Sequence, residues 1–234
     1  AVVDGLGDAA AALLTPAHQF PIGVALAPAR RRQAIGWAAD TGSIVLEDDY
    51  DGEFRYDRQA VGAMQSLAPG QVVYAGTAAK SLAPGLRLGW LVLPAQLVDE
   101  VVEVKRASGA FPSTLDQLTL AEFLVCGAFD RQVRRARLAY RRRRDRLVAA
   151  LSRHAPTAEV SGIAAGLHAL VHLPGGDEGE VVARASDHGL ALQGLGDFTE
   201  PGYDRGPALV IGYATPPDHA YTSTLARLTA VLSG

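Results

Sequence analysis

The chain has 234 residues and a mass of 24.5 kDa, enough for one large domain or for a medium domain with a smaller one attached. Apolar residues make up 48% of the sequence and charged residues 20%, which excludes a disordered chain. The net charge of −3 gives no sign of a nucleic-acid-binding surface, and no apolar stretch is long enough to span a membrane. The single cysteine, Cys126, excludes a disulfide framework; we expect it to be buried, in a cytoplasmic protein without a signal peptide.

Strand-like and helix-like segments alternate over the first half of the chain. A helix is predicted at 28–41, where apolar residues recur among polar ones and Gly42 ends the pattern. Short buried strands are predicted at 43–49, 71–76 and 86–93, and an amphipathic helix at 94–107. This alternation predicts a largely parallel α/β sheet.

The second half is helical first and mixed afterwards. Helices are predicted at 115–126, 129–153, 179–188 and 217–232, and strands at 166–173, 191–195 and 208–213. We therefore predict a large domain over 1–128, a connecting helix over 129–153 and a small α+β domain over 154–234. The nine arginines between 131 and 146 are interpreted as a solvated helix face, because the net charge is negative. No group of histidines has the surroundings of a metal ligand set, so we predict no metal site.

An acidic run follows the predicted strand at 43–49. Asp48 and Tyr50 are two residues apart and leave an extended strand on the same face. At the carboxyl edge of an α/β sheet, where ligand sites form, an acid and a phenol can hydrogen-bond two heteroatoms of one aromatic ring. Two readings stay open beside this one: Asp48, Asp49 and Asp51 could cap a helix or solvate a loop, or they could hold a divalent cation.

A second polar segment follows the predicted strand at 71–76. It carries Thr77 and Lys80, with Arg87 seven residues past the lysine. Only two lysines occur beside 20 arginines, and lysine alone of the two can act as an amine nucleophile. A hydroxyl, a lysine and an arginine suit a phosphate and a carbonyl that the lysine attacks, although a lone lysine in such a turn is usually just solvent-exposed.

Three motifs resemble one known family: TPAHQFPIGV at 15–24, IVLEDDYDGEF at 44–54 and GTAAKSLAPGLRLGWLVLP at 76–94. They resemble the aminotransferase-type domain of the MocR/GabR group of GntR-family bacterial regulators. These regulators join a winged-helix DNA-binding domain to a fold-type-I domain that binds pyridoxal 5′-phosphate (PLP), and free-standing aminotransferases share a looser form of the motifs. The resemblance implies an α/β fold of this type with a small C-terminal α+β domain.

The resemblance also implies roles for individual residues. Lys80 matches the lysine that forms the internal aldimine with PLP, which then exchanges with an amino compound. Asp48 matches the acid that keeps the pyridine nitrogen protonated, and Tyr50 the phenol that hydrogen-bonds the 3′-oxygen. Arg87 and Thr77 match groups that hold the phosphate of the cofactor. His18 and Gln19 lie in the segment that approaches its 3′-oxygen.

The departures from the family pattern carry further expectations. Only about 14 residues precede the TPAHQ motif, so we expect a partial PLP domain, and contact with DNA only through a domain outside this chain. Asp197 stands where the GABA-responsive member has an arginine that binds the carboxylate of its effector. An acid at this position favours a ligand that carries an amine where GABA carries its carboxylate. We expect a homodimer. The alternatives are a free-standing aminotransferase and a cofactor-free remnant that acts as an interaction module.

Overall fold

The computed structural model describes residues 5–56, 61–109, 111–200, 202 and 205–233. It divides into two compact units. The first unit comprises Ala1–Gln19 and Ala25–Ala136, and the second comprises Phe20–Val24 and Arg137–Gly234.

The first unit contains a four-stranded sheet with the order β1-β2-β3-β4. Strands β1 to β3 are parallel and β4 runs antiparallel to β3, so the prediction of a largely parallel sheet is confirmed. Helix α1 connects β1 to β2, as expected for parallel neighbours. The bounds are β1 Ala11–Leu14, α1 Pro28–Thr41, β2 Ile44–Asp49, β3 Val72–Thr77 and β4 Gly89–Val92.

Helix α1 begins and ends as its sequence predicts. A proline occupies its first turn, where a missing N–H costs nothing, and Gly42 ends it with a φ of 70°, in the left-handed region that glycine adopts freely. Its apolar side chains bury one face of the sheet. The core on this face consists of Ala12, Leu26, Ala34, Trp37, Ala38, Val45, Met64, Ala68 and Val72.

The two faces of the sheet differ in exposure. Along β2, Val45 and Glu47 are buried on the α1 side, whereas Leu46 points to the other face and is 37% exposed. Leu13 pairs with Leu46 in the register and is 68% exposed. Since side chains alternate along a strand, Asp48 lies on the same face as Leu46.

The helices that follow the sheet bury little of their own surface. Helix α2 (Val98–Ala107) and helix α3 (Thr114–Val125) have no buried residue, although α3 is mostly apolar. The predicted burial of Cys126 is wrong, because the residue lies exposed at the end of this uncovered helix. Helix α4 (Ala128–His154) follows, with Val133 and Leu147 buried.

The second unit is a small α+β structure. Its sheet has the order β5-β6-β8-β7 and all its pairs are antiparallel. The bounds are β5 Glu159–Ser161, β6 His168–His172, α5 Glu178–Asp187, β7 Gln193–Gly194, β8 Ala208–Gly212 and α6 Asp218–Ser233. The segment Phe20–Val24 joins this unit through the backbone bond from Ile163 N–H to the Gly23 carbonyl, 2.7 Å long.

Over the described ranges, the chain forms no helix with the length and apolar character needed to cross a bilayer.

Candidate functional site

The parallel register brings the ends of β1, β2 and β3 to one edge of the sheet. Leu14 pairs with Glu47, and Asp49 pairs with Gly76, so all three strands finish within a few residues of one another. The polar residues that the sequence singles out in this unit follow these ends or, for Asp48, lie at one. They are His18 and Gln19 after β1, Asp48 and Tyr50 at β2, and Thr77, Lys80 and Arg87 after β3.

Two aspartates at the end of β2, Asp48 and Asp49, have different surroundings. Burial raises the pKa of Asp48, and the neighbouring charges of Asp49 and Asp51 raise it further. Burial also raises the pKa of Asp49, whose Oδ2 accepts a hydrogen bond of 2.9 Å from the Tyr74 hydroxyl. The carboxylate of Asp48 is therefore disfavoured as a lone anion, and a cationic N–H partner would stabilise its charged form.

The Tyr50 hydroxyl donates a hydrogen bond of 3.2 Å to the backbone carbonyl of His18. Burial, and then the nearby charge of Asp51, hold the pKa of this phenol well above its usual range. The phenol consequently stays protonated near neutral pH, and its single proton lies in the bond to the His18 carbonyl.

His18 and Asp51 form a buried pair across two strand ends. The distance between His18 Nδ1 and Asp51 Oδ2 is 2.8 Å, and the two residues are 3% and 2% exposed. The family resemblance implies a place for His18 near the 3′-oxygen of the cofactor, and it gives Asp51 no partner. No spacing signal could have joined them, because they are 33 residues apart and meet only through the strand register. Asp51 thus does not solvate a loop, because its side chain is buried against His18.

The segment from Thr77 to Leu88 closes on itself. The Thr77 hydroxyl donates to the Leu88 carbonyl at 3.2 Å and accepts from the Ala79 N–H at 3.1 Å, and the Ala78 N–H donates to the same carbonyl at 3.0 Å. This closure leaves the side chain of Lys80 exposed on the loop.

Arg87 holds an unusual backbone conformation near the end of this loop. Its φ of 51° and ψ of 31° lie in the left-handed region, where a side chain with a Cβ atom is disfavoured. Among the residues that the structure describes, it is the one non-glycine with a positive φ. Such strain persists where the surroundings enforce it, and it concentrates at ligand-binding sites.

An apolar cleft of about 350 Å³ lies beside the same loop. Leu82, Leu86 and Leu88 form one side of it, and Leu120 and Phe123 of α3 contribute another. Ser81, next to Lys80, is buried, and its carbonyl accepts a bond of 3.5 Å from Gln132 of α4. The loop is therefore anchored on both sides of its lysine.

Residues of the second unit complete the account of the predicted sites. Asp197 lies exposed in a short 3₁₀ helix, Leu195–Phe198, and its role in ligand binding stays a prediction. His168 and His172 do lie on one strand, as predicted. His172 Nε2 is 2.9 Å from the Ser161 hydroxyl, and His168 Nε2 is 3.2 Å from the Pro21 carbonyl.

The fold and the edge of the first sheet define a fold-type-I domain related to aminotransferases. Residues 8–198 match the family described as aminotransferase class I and II, and the chain belongs to this family. The structure of LysN, an α-aminoadipate aminotransferase from Thermus thermophilus, superposes with a TM-score of 0.82 at 25% identity. The match covers 95% of this chain and 58% of LysN, which was solved with N-(5′-phosphopyridoxyl)-L-leucine.

The curated relatives include regulators of transcription. The chain is 40% identical over 182 residues to the uncharacterized HTH-type transcriptional regulator YhdI of Bacillus subtilis, a match that covers 76% of this chain and 39% of YhdI. It is 39% identical over 142 residues to the probable rhizopine catabolism regulatory protein MocR of Rhizobium meliloti, covering 60% of this chain and 29% of MocR. The domain is thus an aminotransferase-like domain of the MocR type, and it spans less than half the length of these relatives.

Proposed function

We propose that this chain is the PLP-binding, effector-sensing domain of a MocR-type transcriptional regulator. The observation that carries the proposal is the sheet edge at which an acid, a phenol, a lysine and an arginine follow neighbouring strand ends. The regulatory role is supported by the regulators among the curated relatives, which are more similar in sequence than the enzymes of known structure.

The side chains at this sheet edge have the charges and hydrogen-bonding groups that PLP needs. The crowded carboxylate of Asp48 would pair with a protonated ring nitrogen. The phenol of Tyr50 would turn its single proton from the His18 carbonyl to the 3′-oxygen. Arg87, with Thr77, would hold the phosphate through charge-assisted hydrogen bonds. When bound, PLP supplies a carbonyl that condenses with primary amines and a ring that withdraws electrons.

Lys80 is the amine that we assign to the attachment of the cofactor. Its exposure on an anchored loop leaves Nζ accessible, and in its neutral form Nζ is a nucleophile. An amino effector would replace Lys80 at the same position and release its side chain. Once the side chain of Lys80 is released, the loop that carries it, 77–88, changes conformation. This change is passed to a DNA-binding domain outside this chain.

The experiment is an absorbance titration with PLP of the wild type, Lys80→Ala and Lys105→Ala. Lys105 is the other lysine of the chain and lies exposed on α2, so it serves as a matched control. We expect a shifted cofactor band in the wild type and in Lys105→Ala, and free PLP alone in Lys80→Ala. Free PLP alone in all three proteins would refute cofactor binding and favour a cofactor-free interaction module.

Aminotransferase activity is the second candidate, because the solved neighbours of this fold are enzymes. The two functions differ in turnover. A sensor exchanges the amino compound and changes its spectrum without forming a new oxo acid. Repeated conversion of an amino donor with 2-oxoglutarate or pyruvate, lost in Lys80→Ala, would favour the enzyme.

A further inference from the structure

We propose that Asp51 is a positioning residue, which fixes the phenol of Tyr50 through His18. The inference rests on the proposed function, because it is that function which gives Tyr50 a contact with the cofactor. Asp51 itself is assigned no part in cofactor binding.

The first step is the contact between the two strand ends. Asp51 Oδ2 lies 2.8 Å from His18 Nδ1, and both side chains are almost fully buried. This contact fixes the ring of His18, and with it the backbone of the segment that follows β1. The carbonyl of His18 is the acceptor of the Tyr50 hydroxyl, at 3.2 Å. Asp51 therefore controls the position of the atom that holds the phenol in place before its proton turns to the 3′-oxygen.

One further contact ties the same segments together, because Arg55 donates through an Nη atom to the Ala17 carbonyl at 3.1 Å. The Phe54 N–H donates to the Asp51 carbonyl at 2.9 Å and closes a turn within the second segment. We call Ala17, His18, Tyr50, Asp51 and Arg55 the strand-end clasp. Its contacts join the motif TPAHQ to the motif EDDYDGEF, and they hold the phenol in the middle.

The contact between His18 and Asp51 is shielded from water and has one defined geometry. The two residues are 3% and 2% exposed, so solvent does not compete for the bond between them. The bond joins one ring nitrogen, Nδ1, to one carboxylate oxygen, Oδ2, and so holds the ring in a single orientation. The clasp thus favours a fixed phenol.

The test is a double-mutant cycle on the affinity for PLP. Asp51→Asn is expected to raise the dissociation constant about tenfold in the wild-type background. In the Tyr50→Phe background the same substitution is expected to change it less than about twofold, because there is no hydroxyl left to position. Asp99→Asn, at an exposed position of α2, is the control for loss of one negative charge.

The outcomes separate the two proposals. An equal effect of Asp51→Asn in both backgrounds would overturn the positioning role and leave the proposed function intact. A wild type that binds no PLP would overturn both. If circular dichroism shows that Asp51→Asn is unfolded, His18→Gln takes its place, since it keeps the backbone carbonyl and a side-chain donor. Loss of the fold in both variants would overturn the proposal in favour of a structural role.

Discussion

Replacing Arg87 by glycine is expected to stabilise the chain while it weakens PLP binding. At φ 51° and ψ 31°, a residue with a Cβ atom costs about 1–2 kcal/mol relative to a relaxed conformation. Glycine removes this cost but loses about 0.5–1 kcal/mol more conformational entropy on folding. The free energy of unfolding should therefore rise by about 0.5–1 kcal/mol, which raises the melting temperature by about 2 °C in a chain of this size.

The same substitution removes the guanidinium that we assign to the phosphate. Charge-assisted hydrogen bonds to a phosphate are strong, but Arg87 is exposed and water screens part of the attraction. We expect the dissociation constant for PLP to rise about tenfold. Thermal unfolding without PLP and an absorbance titration with it measure the two effects separately.

Arg87→Ala is the matched variant, because it loses the guanidinium but keeps the disfavoured backbone. It should bind PLP as weakly as Arg87→Gly and melt below it. A lower melting temperature for glycine than for alanine would refute the argument from backbone strain. Unchanged affinity in both variants would refute the phosphate assignment.

Three other substitutions test the surroundings of the site and the second unit. The folded state keeps the proton of Asp48 to a higher pH than the unfolded state does, because the pKa of this residue is raised on folding. The free energy of unfolding of the wild type therefore falls as pH rises from 3.8 through the raised pKa. Asp48→Asn should lack this fall in a series of melting curves at different pH. Glu47→Gln should cost about 1.5–3 kcal/mol in denaturant unfolding, because the buried carboxylate accepts two backbone N–H bonds, of 2.9 and 3.0 Å. Gly162→Ala should cost about 2 kcal/mol by the same assay, since its φ is 92° and a Cβ would lie 2.8 Å from the Gly23 carbonyl oxygen; no change in either unfolding curve would contradict these contacts.

Much of the fold follows from local sequence patterns. Helix α1 has the predicted bounds, because a proline and a glycine punctuate both ends. Strands β2 and β3 fall within one residue of their predictions, since apolar runs with a polar end are typical of buried strands. Strand β4 begins three residues later than predicted. The segment before it forms a 3₁₀ turn at Pro84–Leu86, which apolar composition alone does not reveal.

The candidate site is predictable in part. The order of the strands brings Asp48, Tyr50 and Lys80 to one sheet edge, as their positions after strands suggest. The pairing of Asp51 with His18 depends on the parallel register of β1 and β2, and the strain at Arg87 depends on closure of its loop. Both are products of tertiary structure, so no local pattern encodes them. The roles of these residues toward PLP stay predictions.

The most direct test of the central claim is to locate the lysine that reacts with PLP. Borohydride reduction in the presence of PLP, followed by peptide mass mapping, fixes any attached cofactor on its residue. We expect the added mass on the peptide that contains Lys80, and none on the peptide that contains Lys105. Label on Lys105 alone, on both lysines equally, or on neither would contradict the assignment of the site.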